Sequence, residues 1–144
     1  EGEYDSFPKG PGFDETTGVF FGPGGVLPPR DFSGNDTVRT PKYSGLFGLS
    51  YTFDIPGGPV EIASDVYYND GYFFDTQNVV EQPSHYTLNA RASYLYEPWN
   101  LRVSVIGKNL TDQFYYYNIF ATDFGESATG GPPPSYGVAL SWTF

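Results

Sequence analysis

Residues 43–53 read YSGLFGLSYTF. Tyr43, Gly45, Phe47, Leu49, Tyr51 and Phe53 fall on one side of an extended chain, and Ser44, Leu46, Gly48, Ser50 and Thr52 on the other. A period of two with one apolar and one polar side is the signature of a β-strand between unlike environments. The next six residues, Asp54 to Pro59 (DIPGGP), are breakers that force a tight turn. Beyond it Val60–Tyr68 alternates again, with Val60, Ile62, Ser64, Val66 and Tyr68 against Glu61, Ala63, Asp65 and Tyr67. Tyr86–Tyr96, Trp99–Asn109 and Ser135–Phe144 repeat the pattern, with Leu95 as an exception on the polar side. The turn near Glu97 and Pro98 is short, whereas Asn69–His85 and Leu110–Pro134 are long.

The sequence therefore predicts five strands of 9 to 11 residues, joined by alternately short and long connections, with no helical period anywhere. That is the pattern of an antiparallel up-and-down transmembrane β-barrel segment, whose strands need about 9–11 residues and whose turns are short on one side only. A soluble β-sandwich is the rival, and it predicts apolar faces packed between two sheets. Two details favour the membrane. Aromatics gather at strand ends (Tyr43, Phe53, Tyr68, Tyr86, Tyr94, Tyr96, Trp99, Tyr136, Trp142, Phe144), where interfacial girdles sit. Glu61, Asp65, Arg91, Arg102 and Lys108 lie on the polar sides, which suits a wet lumen better than a dry core.

Composition narrows function. Seventeen acids against seven bases leave a net charge of -10, the wrong sign for a nucleic-acid binder. There is no Cys, which removes thiolate catalysis, disulfides and Cys-based zinc sites. There is no Met, and the first residue is Glu1, so we expect a processed or excised piece of a longer chain. No run of apolar residues is long enough for a membrane helix, and no signal-peptide pattern opens the chain. No catalytic constellation emerges: the single His85 lies in a loop-like QPSHY and reads as a solvated side chain, and Asp123 with Glu126 is an accidental acid pair among many. No metal-ligand motif and no cofactor motif are present. The chain reads as a non-enzyme.

Residues 1–41 are rich in Pro and Gly and read as a surface loop, plain and solvated or, more sharply, facing outward to help capture a ligand. Candidate ligand-contacting residues are aromatics in the long connections: Phe20 and Phe21, then Tyr72, Phe73 and Phe74, then Tyr115, Tyr116, Tyr117 and Phe120. Such rings offer large contact area at low entropy cost, although girdle or loop packing is the plainer reading of each one taken singly.

Three passages resemble the C-terminal end of a TonB-dependent outer-membrane receptor. They are DFSGNDTVRTPKYSG (31–45), WNLRVSVIGKNLTDQFYY (99–116) and GPPPSYGVALSWTF (131–144). The resemblance implies a barrel of about 22 strands around a plug, with 1–41 mostly extracellular loop, 42–144 strands and hairpins, and the plug and energy-coupling box outside this sequence. It implies active import of a scarce ligand, a ferric siderophore above all, at the bacterial outer membrane. The partners it implies are outer-membrane lipid, an inner-membrane energy-coupling complex reached through a missing N-terminal region, and the barrel-assembly machinery. The assembly signal would be Tyr136, Val138, Leu140, Trp142 and Phe144 on the last strand. In the motif turn at Asn109, Leu110 and Asp112, the Asn109 and Asp112 side chains are expected to bond nearby amides and bend the backbone out of the strand. A passive pore, a barrel enzyme and a secreted carbohydrate-binding sandwich are the alternatives.

Overall fold

A computed structural model of the chain describes residues 2–14, 16–122 and 125–143. Its strands are β1 (Gly12–Phe13), β2 (Phe20–Phe21), β3 (Ser44–Ile55), β4 (Gly58–Asn69), β5 (Tyr72–Phe73), β6 (Glu81–Gln82), β7 (His85–Tyr96), β8 (Leu101–Lys108), β9 (Tyr116–Thr122), β10 (Gly125–Gly130) and β11 (Ser135–Trp142). One 3-10 turn, Glu97–Trp99, joins β7 to β8. Among the described residues no helix is long and apolar enough to cross a membrane. The chain divides into a sheet unit (Ser44–Asn69, His85–Phe114, Pro132–Phe144) and a loop unit (Glu1–Tyr43, Asp70–Ser84, Tyr115–Gly131).

The sheet unit is one five-stranded antiparallel sheet in the order β11-β8-β7-β4-β3, open at both edges. All five predicted strands are present within two residues of their expected ends. Register lines up the predicted apolar sides into continuous rows. Tyr51, Ile62, Ala92, Val105 and Val138 form one, and Phe53, Val60, Tyr94, Val103 and Leu140 the next. These rows are not tucked between two sheets. Ile62 and Val105, both on interior strands, are 48% and 54% exposed, and Val138 and Leu140 on the edge are 70% exposed. The neighbouring Ser93 and Ser104 on the opposite face are buried and share a 2.8 Å hydroxyl hydrogen bond. None of the buried hydrophobic side chains among the described residues, Phe21, Phe32, Val80 and Ile119, belongs to this sheet. The sandwich expectation required the reverse.

The other face carries the charges. Arg91 pairs with Glu61, Arg102 lies 4.0 Å from the same carboxylate, and Asn89 donates to Asp65 at 2.7 Å. Aromatic side chains mark both ends of the apolar face. Tyr68 pairs across strands with Tyr86, while Tyr96 packs edge-on against Trp99 at 5.4 Å. Tyr86 and Tyr96 share a face ten residues apart. At about 3.3 Å per residue and a tilt of about 40°, that spans roughly 25 Å, the height of a barrel's apolar band.

The β3–β4 turn explains the DIPGGP sequence. Pro56 and Gly57 are its two central residues, and Gly57 has φ +101°, the left-handed region a type II turn asks of its second position. Tyr94 donates its hydroxyl to the Pro56 carbonyl at 3.0 Å, and the Glu97 amide donates to the Gly57 carbonyl at 2.8 Å. Gly58 follows at φ +138°, and a Cβ there would strike the Leu95 carbonyl oxygen. Gly58→Ala is expected to destabilise the sheet by about 1–3 kcal/mol. Denaturant unfolding of the full protein in detergent checks this, and an unchanged midpoint would contradict it.

One expectation needs correction. His85 is not a solvated loop residue; it opens β7 and is buried, its ring 6.2 Å from that of Tyr67.

Candidate functional site

Among its described residues the loop unit pairs β1 with β2 and β5 with β6 over two residues each, and β9 with β10 in one longer hairpin. Side-chain amides supply the missing ladder. The Phe13 amide donates to Gln77 Oε1 at 3.0 Å, and Gln77 Nε2 donates to the Phe13 carbonyl at 3.1 Å. Asn78 does the same for Asp36, accepting from its amide at 2.7 Å and donating to its carbonyl at 3.0 Å. Gln82, almost wholly buried, accepts from the Tyr116 amide at 2.6 Å. Each amide side chain presents a donor beside an acceptor, as a backbone unit does, and so satisfies main-chain groups that would otherwise lack partners. Segments 1–43, 70–84 and 115–131 are thereby joined around Phe21, Phe32, Val80 and Ile119.

A cleft of about 590 Å³ opens within this unit. Its apolar lining includes Phe13, Phe74, Val79, Ile119 and Phe120, and its acids are Asp14, Asp75 and Glu126. Two of the acids are already committed. Asp75 Oδ1 accepts from the amides of Val79 and Val80, and Oδ2 from that of Gln77. Asp14 Oδ1 accepts from Thr16 and Thr17, and Oδ2 forms an ion pair with Arg30 at 2.6 Å. The Arg30 guanidinium, next to the Thr17 contacts, holds the Asp14 carboxyl below the usual 3.8. The Ser33 hydroxyl and amide likewise lower that of Asp31. A lowered carboxyl contributes stability that is complete above its unfolded value and disappears as pH falls through the folded one. We therefore expect Asp14→Asn to accelerate proteolytic cleavage within 14–30 at pH 7, with wild type and variant converging as pH falls well below the ordinary carboxyl value of 3.8. A difference that persisted at low pH would contradict the ion-pair account.

The candidate aromatics separate into groups. Phe74 and Phe120 line the cleft, and the Phe120 ring is half exposed. Phe20 packs on the cleft residue Phe13 at 5.3 Å. Tyr72 meets Phe74 edge-on at 5.1 Å, and the Phe73 carbonyl accepts from the Arg39 amide at 2.8 Å. Tyr115 and Tyr117 pack edge-on at 5.7 Å; burial, then Tyr117 beside it, pushes the Tyr115 phenol up. Tyr116 is half-buried in β9. Phe21 is fully buried, with Arg30 4.4 Å above its ring, so it has no face left for a ligand. Sequence reasoning missed Phe13, Gln77 and Arg39. Arg39 holds a left-handed backbone (φ +55°), bonds Asn118 and lies 5.6 Å above the Phe74 ring. A positive φ at a non-glycine residue has no simple sequence signature. The D-T-Q-N run at 75–78, with its amide side chains, was the visible hint for Gln77.

In the motif turn the bonding side chain is that of Asn109; Asp112 contributes its backbone, its amide donating to the Asn109 carbonyl at 3.0 Å. The Asn109 side chain accepts from the Gln113 amide at 3.1 Å and donates to the Gln113 and Pro132 carbonyls at 3.0 Å each. Its backbone is left-handed at φ +48°, as is that of Asp112 at +50°. Leu110 keeps the chain on β7 by donating its amide to Leu88 at 2.8 Å. On β11, Tyr136, Val138, Leu140 and Trp142 all lie exposed on the apolar face of an edge strand; Phe144 is outside the described residues. Among the described residues no group of His, Asp and Glu is arranged to hold a metal.

No protein-family model matches the chain. No curated protein matches it either. Solved structures do. The ferric yersiniabactin uptake receptor FyuA from Yersinia pestis superposes with a TM-score of 0.71 at 19% identity, over 76% of this chain and 17% of that one. The siderophore receptor PiuA from Acinetobacter baumannii gives 0.63 at 22% identity, over 76% and 14%. BauA, the ferric preacinetobactin receptor from the same organism, gives 0.60 at 20% identity, over 77% and 16%. The chain thus spans about a sixth of the length of these receptors. Taken with the antiparallel order and the exposed apolar rows, these matches show that the fold of this chain is that of a stretch of siderophore-receptor β-barrel.

Proposed function

We propose that the chain is part of an outer-membrane receptor that binds a ferric siderophore at the cell surface and imports it to the periplasm with energy from an inner-membrane complex. The observation that carries this reading is the sheet itself, whose apolar row Tyr51, Ile62, Ala92, Val105 and Val138 stays exposed across all five strands while its charges and buried serines occupy the other face. In water that arrangement would leave a large apolar surface uncovered; against hydrocarbon it is the stable one. In this reading the turns at Pro59 and Pro98 face the periplasm, while segments 1–41, 69–85 and 110–134 face outside. The exposed apolar row on β11 is what the assembly machinery would bind. The fold likeness to three receptors named for siderophores supports the cargo class.

The test is uptake of iron-55 siderophore complexes by cells with and without the intact protein. Uptake that requires the protein and stops when the proton gradient is dissipated is expected. Uptake indifferent to the gradient would point instead to a passive pore.

A further inference from the structure

We propose that the loop-unit cleft selects against negative charge, so that its cargo is a neutral ferric chelate of the tris-hydroxamate kind rather than a trianionic tris-catecholate. This rests on the uptake reading above and narrows its substrate class. The cleft's apolar side, with Phe13, Phe74 and Phe120, offers contact area that either chelate's organic flank can use. Charge is what separates them. Ferric iron bound by three hydroxamate monoanions is neutral, whereas three catecholate dianions leave three negative charges.

Among the described residues no Lys, Arg or His lines the cleft, while Asp14, Asp75 and Glu126 do. The two nearby guanidinium groups are engaged elsewhere. Arg30 is held by Asp14 and the Phe21 ring, which neutralises Asp14 in turn. Arg39 is held by Asn118 and the Phe74 ring. Those partners are neutral, so Arg39 keeps its charge, but one cation against the carboxylates of Asp75 and Glu126 leaves the described residues at the cleft net negative. Asp75 accepts from three backbone amides, which hold its carboxylate in place at the cleft. The surroundings reinforce the sign, since twelve of the seventeen acids but four of the seven bases fall in the loop unit's segments. A field of this kind lowers the local concentration of an anion before any contact is made, and salt weakens it.

The experiment measures binding of a tripodal ferric tris-hydroxamate and a tripodal ferric tris-catecholate to the full protein in detergent, at low and high salt. Wild type is expected to bind the neutral chelate at least tenfold more tightly, with the gap shrinking in high salt. Glu126 is exposed on β10, so Glu126→Gln and Glu126→Lys are expected to fold. They should narrow the gap progressively by strengthening only the tris-catecholate. Equal or tighter wild-type binding of the tris-catecholate, or a gap that both variants leave unchanged, overturns the charge inference and leaves the uptake reading standing. If neither chelate binds, both fall.

Discussion

Val105→Arg is expected to destabilise the protein in lipid by about 2–4 kcal/mol, the cost of a cationic side chain on the lipid face near mid-bilayer. Val105 sits in the central strand pairings, opposite Ala92 on one side and Val138 on the other, and is 54% exposed. The adjacent Ile106 supplies the control. It points to the other face, opposite Arg91, so Ile106→Glu places an opposite charge across from Arg91 and is expected to change stability by less than about 1 kcal/mol. Urea unfolding from vesicles measures both. Similar costs at the two positions would mean that the faces do not meet different solvents. A water-soluble sheet would tolerate arginine at an exposed position far better than this, because the side chain would already be hydrated.

Asn109→Ala is the second large effect, about 3–5 kcal/mol. The side chain is buried, and its loss strands the Gln113 amide and the carbonyls of Gln113 and Pro132. Each stranded group costs roughly 1 kcal/mol or more, and alanine adds about 1–2 kcal/mol for the left-handed backbone. Asn109→Gly separates the two contributions, since glycine accepts φ +48° but restores no hydrogen bond. It should recover about 1 kcal/mol relative to alanine. If both substitutions are nearly neutral by the same unfolding measurement, the motif turn is not held by this side chain.

These two positions also show what the sequence made legible. Strands β3, β4, β7, β8 and β11 were readable because each face meets a different environment, which writes a period of two into residues such as Leu101, Val103 and Val105. The turn at Asn109 was readable because asparagine side chains bond locally. The hairpin of β9 and β10 was not. Tyr115–Phe120 is aromatic on both sides and GESATG at 125–130 on neither, so no alternation marks it. The amide bridges of the loop unit were equally hidden, because Gln77 meets Phe13 across 64 residues. Aromatic type also fails to distinguish roles. Phe20 and Phe21 are adjacent and identical in kind, yet the structure leaves Phe20 partly exposed and buries Phe21 completely. Burial there follows from which ring faces Phe32, 6.0 Å away, and that is a property of the folded loop.

The membrane reading is tested most directly by placing a nitroxide label at each position from Leu101 to Lys108 of the full protein in vesicles. Collision with dissolved oxygen, which concentrates in hydrocarbon, is then compared with collision against a water-soluble nickel chelate. The account predicts oxygen maxima at positions 101, 103 and 105, with low values at 102, 104 and 106. A profile without that period of two, or nickel collisions dominating at 103 and 105, would contradict it.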